Sequence, residues 1–243
     1  MSAWVPSGGI RSYTRLGTAG TIDHTDYMGG SATRERGQRV PGVAKVVRDE
    51  PTAFITRRPP NDVTFPHFHE LNQFQLFVEG HGRIGKHPLQ PDTVHYADAF
   101  TPYGPIVASD DEGLAFMTLR AQTSNGGAFR MPGSRSQLER RAGRALTVLA
   151  DTSAVPDRME ELIPLTEDGV EATMLPVAAG ATVTPTDRVP SRDRFLVVMS
   201  GSLAGDGLGR YACRFLPAGE SVPALTGGSG GAGVLFLAFA ARS

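Results

Sequence analysis

The chain repeats itself. Phe74-Gln-Leu-Phe-Val-Glu-Gly80 has a counterpart in Phe195-Leu-Val-Val-Met-Ser-Gly201, at an offset of 121 residues. Gly113-Leu-Ala-Phe116 and Gly233-Val-Leu-Phe236 lie 120 apart, as do Val63-Thr64 and Val183-Thr184, and Ala97-Asp98 answers Gly219-Glu220 at 122. Register held through several segments reads as two copies of one module. Within each copy the apolar runs are short, rich in Val, Leu, Phe and Thr, and bounded by Gly, Pro and Asp. Examples are Ala53-Phe-Ile-Thr56, Gln73 to Val78, Leu114 to Leu119, Phe195 to Met199 and Val234 to Phe239. Runs of this length at short intervals predict an all-β, antiparallel sandwich or barrel. The 29 glycines and 18 prolines suit its many turns. The one helix-like stretch, Ser136 to Arg144, lies between the copies.

Charge excludes several functions. Lys and Arg number 24 against 25 Asp and Glu, so nothing draws this chain to nucleic acid or anionic lipid. No apolar run approaches the ~20 residues that span a bilayer. The opening Met1-Ser-Ala-Trp4 lacks the basic start and apolar stretch of a signal peptide, so a cytoplasmic location is expected. The single cysteine, Cys213, rules out an intrachain disulfide and a cysteine-based zinc cluster. In Tyr211-Ala-Cys-Arg-Phe215 it reads as a small buried hydrophobe.

All six histidines (His24, His67, His69, His81, His87 and His95) fall in the first 95 residues. Residues two apart on a strand share a face, so Pro66-His67-Phe68-His69 presents two imidazoles side by side. Two imidazoles with a further oxygen or nitrogen donor form the kind of set a divalent metal takes. Gln73 and Gln75, two apart, place amides where a strand normally buries apolar groups, which predicts a polar cavity. His81 and His87 sit beside Gly and Pro in turn-like contexts and read as surface residues, and His24 has no partner visible in sequence.

His67-x-His69-x3-Gln73-x6-Gly80 resembles the first motif of the cupin superfamily, in which His-x-His is followed by Glu and then Gly. Ala97-Asp98-x3-Pro102-x-Gly104 resembles the start of its second motif. With the repeat, the whole is similar to a bicupin, two tandem antiparallel β-barrels covering roughly residues 50–125 and 165–242. The resemblance implies a metal inside the barrel, held in the family by three histidines and a glutamate. This chain departs from the pattern. Gln73 stands where the family has Glu, and Val107 stands where the second-motif histidine belongs. His95 is the nearest remaining imidazole. In the second copy the matching positions are Arg188, Pro190 and Arg194, and arginine cannot ligate a metal.

The expected organisation is an N-terminal arm over 1–50 packed on the first barrel, the first barrel over 51–130, a linker over 131–145, and a second barrel without metal ligands over 146–243. The expected site comprises His67, His69, Gln73 and His95 as metal ligands, with His95 also the acid or base. Gln75, Tyr96, Tyr103 and Arg120 line the substrate cavity, Arg120 as a clamp for a carboxylate or phenolate. The cofactor is one divalent metal ion, Fe(II) ahead of Zn, Ni or Mn. The expected function is a metal-dependent enzyme acting on a small organic molecule, a dioxygenase-type oxygenase ahead of an isomerase, cyclase or lyase. The rival is a cupin that binds a small ligand without chemistry. Edge-strand pairing offers a route to a homodimer.

Overall fold

The computed structural model describes residues 3–29, 46–124, 126–139, 141–151 and 154–241, and the remainder of the expected N-terminal arm lies outside these. The described residues are almost entirely β. Their only helical element is one 3-10 turn at Arg135–Gln137, inside the region expected as a linker. No helix among them is long and apolar enough to cross a membrane.

The chain divides into two compact units, Arg11–Thr147 and Met1–Ile10 with Val148–Ser243. In the first, a seven-stranded sheet runs in the order Arg11–Leu16, Thr21–Met28, Thr52–Arg58, Leu114–Arg120, Gln73–Gly80, Thr93–Ala97 and Ala145–Leu149. A second sheet orders Val63–Thr64, Ile106–Ala108, Gly82–Ile84 and His87–Leu89. Gln73, Gln75 and Phe77 share a face of their strand. Phe77 joins an apolar cluster with Ile84, Leu89, Tyr103, Ile106, Leu114 and Phe116, so the two glutamines continue that face as its polar end.

In the second unit the sheet order is Glu160–Ile163, Glu171–Val177, Leu225–Ala238, Arg194–Leu203 and Cys213–Leu216. Leu196, Val198, Leu216, Leu225, Val234 and Phe236 form its core, and Cys213 is fully buried beside them. The described residues among 1–50, expected as one arm packed on the first barrel, divide between the units. Val5 exchanges backbone bonds with Cys213 in the C-terminal unit (2.7 and 3.0 Å), and Trp4 packs on that unit's core. Arg11–Leu16 and Thr21–Met28 are instead strands of the N-terminal sheet.

The repeat is visible in one shared device. Gly80 and Gly201 both hold positive φ, 69° and 62°. A β-carbon on either would collide with a backbone carbonyl, of Gly113 and Gly231 respectively. Structure therefore pairs Gly113 with Gly231 rather than with Gly233, since Leu114 stands opposite Gly80 and Ala232 opposite Gly201, and both copies carry a bulge just before this glycine, at Val78 and Met199. Gly80→Ala is expected to cost about 2 kcal/mol or more from left-handed backbone and carbonyl contact together. An unchanged urea midpoint would contradict this.

Candidate metal centre

His67 lies on the short strand His67–Phe68, which pairs with Phe129–Arg130. Alternation sends Phe68 the other way, to stack on Phe129 with ring centres 5.0 Å apart and to meet Phe100. This aromatic cluster anchors the segment from behind, so His67 and His69 emerge together on the opposite side. Each imidazole is then fixed by a backbone carbonyl. His67 Nδ1 lies 2.8 Å from the carbonyl oxygen of Phe65, and His69 Nδ1 lies 3.0 Å from that of Gly127. A carbonyl only accepts, so Nδ1 carries the proton in both rings, and in neutral His67 the lone pair lies on Nε2.

Burial pushes His67 down to about 4, outweighing the Phe65 carbonyl, and the charges of Arg120, Arg58 and Arg130 add to the shift. His95 faces Gln75 across the sheet. Its Nδ1 is 2.9 Å from Thr147 Oγ1, and its Nε2 is buried without a hydrogen-bond partner. Burial, followed by the charges of His67 and His87, lowers His95 to about 3. Gln75 Oε1 is likewise buried and unpartnered.

Tyr103 stands at the centre. Its backbone exchanges two bonds with His67, at 3.0 and 3.1 Å. Its ring centre is 4.6 Å from that of His67, 5.0 Å from His95 and 6.4 Å from His69. Gln73 Nε2 donates to the Tyr103 hydroxyl. Arg120 Nε and Nη2 donate to Gln73 Oε1 at 3.0 and 2.7 Å. Burial raises the Tyr103 phenol far above its ordinary value.

Not every expected residue joins this cluster. Tyr96, next to His95 and so on the opposite face, packs on Phe74 and donates to Asp98 Oδ1 at 2.8 Å. Asp98, the second-motif aspartate, is a structural anchor. Burial alone would raise it, but bonds from Arg144 and Tyr96 hold it below the usual carboxylate range. Exposed His81 pairs with Glu112. His24 is buried, stacked on Tyr13 and bonded by Arg15 at 2.7 Å, partners that sequence did not indicate. Burial, then Arg15 and Arg58, lowers it to about 4.

In the second unit Arg194 is wholly buried. It pairs with Asp187 and donates to the carbonyls of Pro217 (3.0 Å) and Glu220 (2.6 Å). Arg188 pairs with Glu161 and Glu171. Charged contacts thus fill the place that imidazoles take in the first copy.

Three buried rings set a pH response. Because His24, His67 and His95 fall from an ordinary 6.5 to between about 3 and 4, the unfolded chain takes up protons first as pH drops. The stability linked to them is intact above about pH 6.5 and is lost as pH falls towards 4. Urea midpoints should decline over that window, and a flat profile would show that the rings are not shielded.

The donor set can be tested against an ion. Imidazoles sharing one ion at about 2.0–2.1 Å from each nitrogen hold their ring centres roughly 5 Å apart. Those of His67 and His69 are 5.1 Å apart. The ring spacing and the carbonyl-anchored Nδ1 atoms of His67 and His69 are compatible with a shared divalent metal. Among the described residues no group of three His, Cys, Asp or Glu could hold one, so His95 does not complete a histidine trio with this pair. Gln73 Oε1 faces a guanidinium, which corrects its place from ligand to partner of Arg120 and Tyr103.

No family model matches the chain, and no curated protein does. Solved structures do match. A protein from Nostoc punctiforme, provisionally assigned as a dioxygenase, superposes with a TM-score of 0.62 at 8% identity, over 98% of this chain and 82% of that one. A bacterial pirin from Escherichia coli, in complex with nickel(II), gives 0.55 at 8% identity over 99% of both chains. Vicilin from Corylus avellana gives 0.53 at 13% over 98% and 85%. At such identities the likeness concerns the fold, and the matches extend over both repeats. Taken with the duplicated modules and the all-β sheets, they show that this chain has the tandem cupin fold.

Proposed function

We propose that the N-terminal barrel binds one divalent metal ion through Nε2 of His67 and His69, and that the protein is a metal-dependent enzyme acting on a small organic molecule, of the dioxygenase type. The observation that carries this reading is the pair of carbonyl-anchored imidazoles, 5.1 Å apart. Fe(II) would supply oxygen chemistry there, whereas Zn, Ni or Mn would supply Lewis-acid chemistry for an isomerase or lyase. The chain's own groups do the rest. His95 Nε2, buried and without a hydrogen-bond partner, can accept a hydrogen bond from a hydroxyl or amine of a bound molecule, while its lowered basicity argues against the expected acid–base role. Gln75 Oε1, across the sheet from it, can accept a bond from a hydroxyl or amine. The buried Arg120 favours anionic substrates near Gln73.

One observation favours ligand binding without chemistry: the family carboxylate is an amide here, and a guanidinium lies against it. Titrating metal-free protein anaerobically with Fe(II), Zn or Ni separates the two readings. Saturation at one ion per chain, with oxygen uptake by the ferrous form in the presence of a small substrate, is the expected result. No binding of any of these ions would leave the ligand-binding reading.

A further inference from the structure

Two buried acceptors face each other in the first barrel. His95 and Gln75 stand directly opposite on neighbouring strands, which puts both side chains on one face. His95 Nδ1 lies 2.9 Å from Thr147 Oγ1, and the ring also donates to the Leu146 carbonyl. Nε2 has no hydrogen-bond partner, so the donating nitrogen is Nδ1 and Nε2 presents a lone pair. Gln75 Oε1 is likewise an acceptor without a partner. Neither atom can donate to the other, so each needs a donor hydrogen from a third group. The other end of this face is cationic. Two residues along the strand, about 6.6 Å away, Gln73 holds the Arg120 guanidinium. Arg130 stands directly opposite His67. The charges acting on His67 are those of Arg120, Arg58 and Arg130, with no carboxylate among them. Asp62 offsets Arg58, and Glu70 lies by Gly126 and Phe129 on the far side of the segment. The Tyr103 ring bridges the two ends, 4.6 Å from the ring of His67 and 5.0 Å from that of His95.

We propose that this barrel binds a small carboxylate carrying two hydroxyl donors at its far end. The carboxylate lies near His67, Arg120 and Arg130, and one hydroxyl donates to each of His95 Nε2 and Gln75 Oε1. The inference rests on the small-molecule part of the reading above and not on the ion. Hydroxyls are preferred to an ammonium because the guanidinium charges repel a cation. Charge draws the carboxylate in, whatever bonds the arginines already make. Burying the hydroxyls is favourable because each meets an acceptor that otherwise lacks a donor. A flat ligand body can lie along the Tyr103 ring between the two ends.

The probe is 3,4-dihydroxybenzoate, with a carboxylate at one end and two hydroxyls at the other. Benzoate lacks the hydroxyls, and catechol lacks the charge. Each would be titrated by calorimetry into metal-free wild type, Gln75→Met and Arg130→Gln, with melting temperatures as a check of folding. Gln75 Oε1 makes no hydrogen bond to lose and Arg130 is exposed, so both variants should fold. The expected result is that 3,4-dihydroxybenzoate binds wild type about tenfold more tightly than either benzoate or catechol. Gln75→Met should bind 3,4-dihydroxybenzoate about tenfold more weakly and benzoate as wild type does. Arg130→Gln should weaken both carboxylates about twofold to fivefold and leave catechol unchanged. Benzoate as tight as 3,4-dihydroxybenzoate, or no loss in Gln75→Met, would overturn the hydroxyl end. Catechol as tight as 3,4-dihydroxybenzoate, or no loss in Arg130→Gln, would overturn the carboxylate end. No binding of 3,4-dihydroxybenzoate to the metal-free protein would overturn the whole inference, while the metal titration above tests the ion separately.

Discussion

A double variant, His67→Ala with His69→Ala, is expected to retain no metal while keeping both barrels folded. Each substitution removes one Nε2 donor, and a two-imidazole set has no reserve, because the neighbouring Gln73 oxygen is held by Arg120. The folding cost is modest. The carbonyls of Phe65 and Gly127 each lose a donor, about 1 kcal/mol apiece. Phe68, which anchors the segment by stacking on Phe129, is untouched. Metal loss accompanied by near-native circular dichroism would therefore report on the site and not on unfolding. Metal retained at the wild-type level would remove His67 and His69 from the account.

The largest stability effect is expected in the other unit. Arg194→Met should destabilise it by about 3 kcal/mol or more, within the range seen when one member of a buried ion pair is removed. Arg194 is 0% exposed, while Asp187 retains 15% exposure, which favours the lower end of that range. Methionine fills much of the space but leaves Asp187 and the carbonyls of Pro217 and Glu220 without the guanidinium donors. For a unit of this size the melting temperature should drop by about 10 °C or more. A change within about 1 °C would mean that the guanidinium network contributes little beyond packing. Metal binding in the first barrel should be unaffected, which separates this variant from the first.

The two variants mark what the sequence makes legible. The repeat shows in sequence because both copies need the same glycine at the same bulge, Gly80 and Gly201, where a side chain would strike a carbonyl. The imidazole pair shows because strand alternation places His67 and His69 on one face. Other features are hidden for identifiable reasons. Thr21–Met28 is a strand in the sheet, yet its alternating buried residues begin Ile22, His24, Asp26, so polar side chains mask the apolar period. On the strands facing Gly80 and Gly201 the equivalent residues are Leu114 and Ala232, not the pair that sequence matching aligns, and spacing alone misses this.

Tyr103, expected to line the cavity, does lie against His67 and His95, but its backbone pairing with His67 has no signal in the sequence. The second-motif comparison directs attention to Val107, which pairs with Val63 and Arg83 in the smaller sheet. The ring that reaches the imidazoles comes instead from the turn four residues earlier, brought there by backbone bonds to His67. Side chains from turns meet strand residues by tertiary pairing, and no local period encodes that. The role of Arg120 in orienting Gln73 is hidden for the same reason, since the two are 47 residues apart.

The account centres on an ion at His67 and His69, and elemental analysis tests it most directly. Wild type and the His67→Ala, His69→Ala variant would be purified side by side without affinity tag or chelator and analysed for iron, zinc, nickel and manganese. The account predicts close to one metal per chain in the wild type and none in the variant. Equal metal in the two proteins, or none in the wild type even after anaerobic reconstitution, would contradict it.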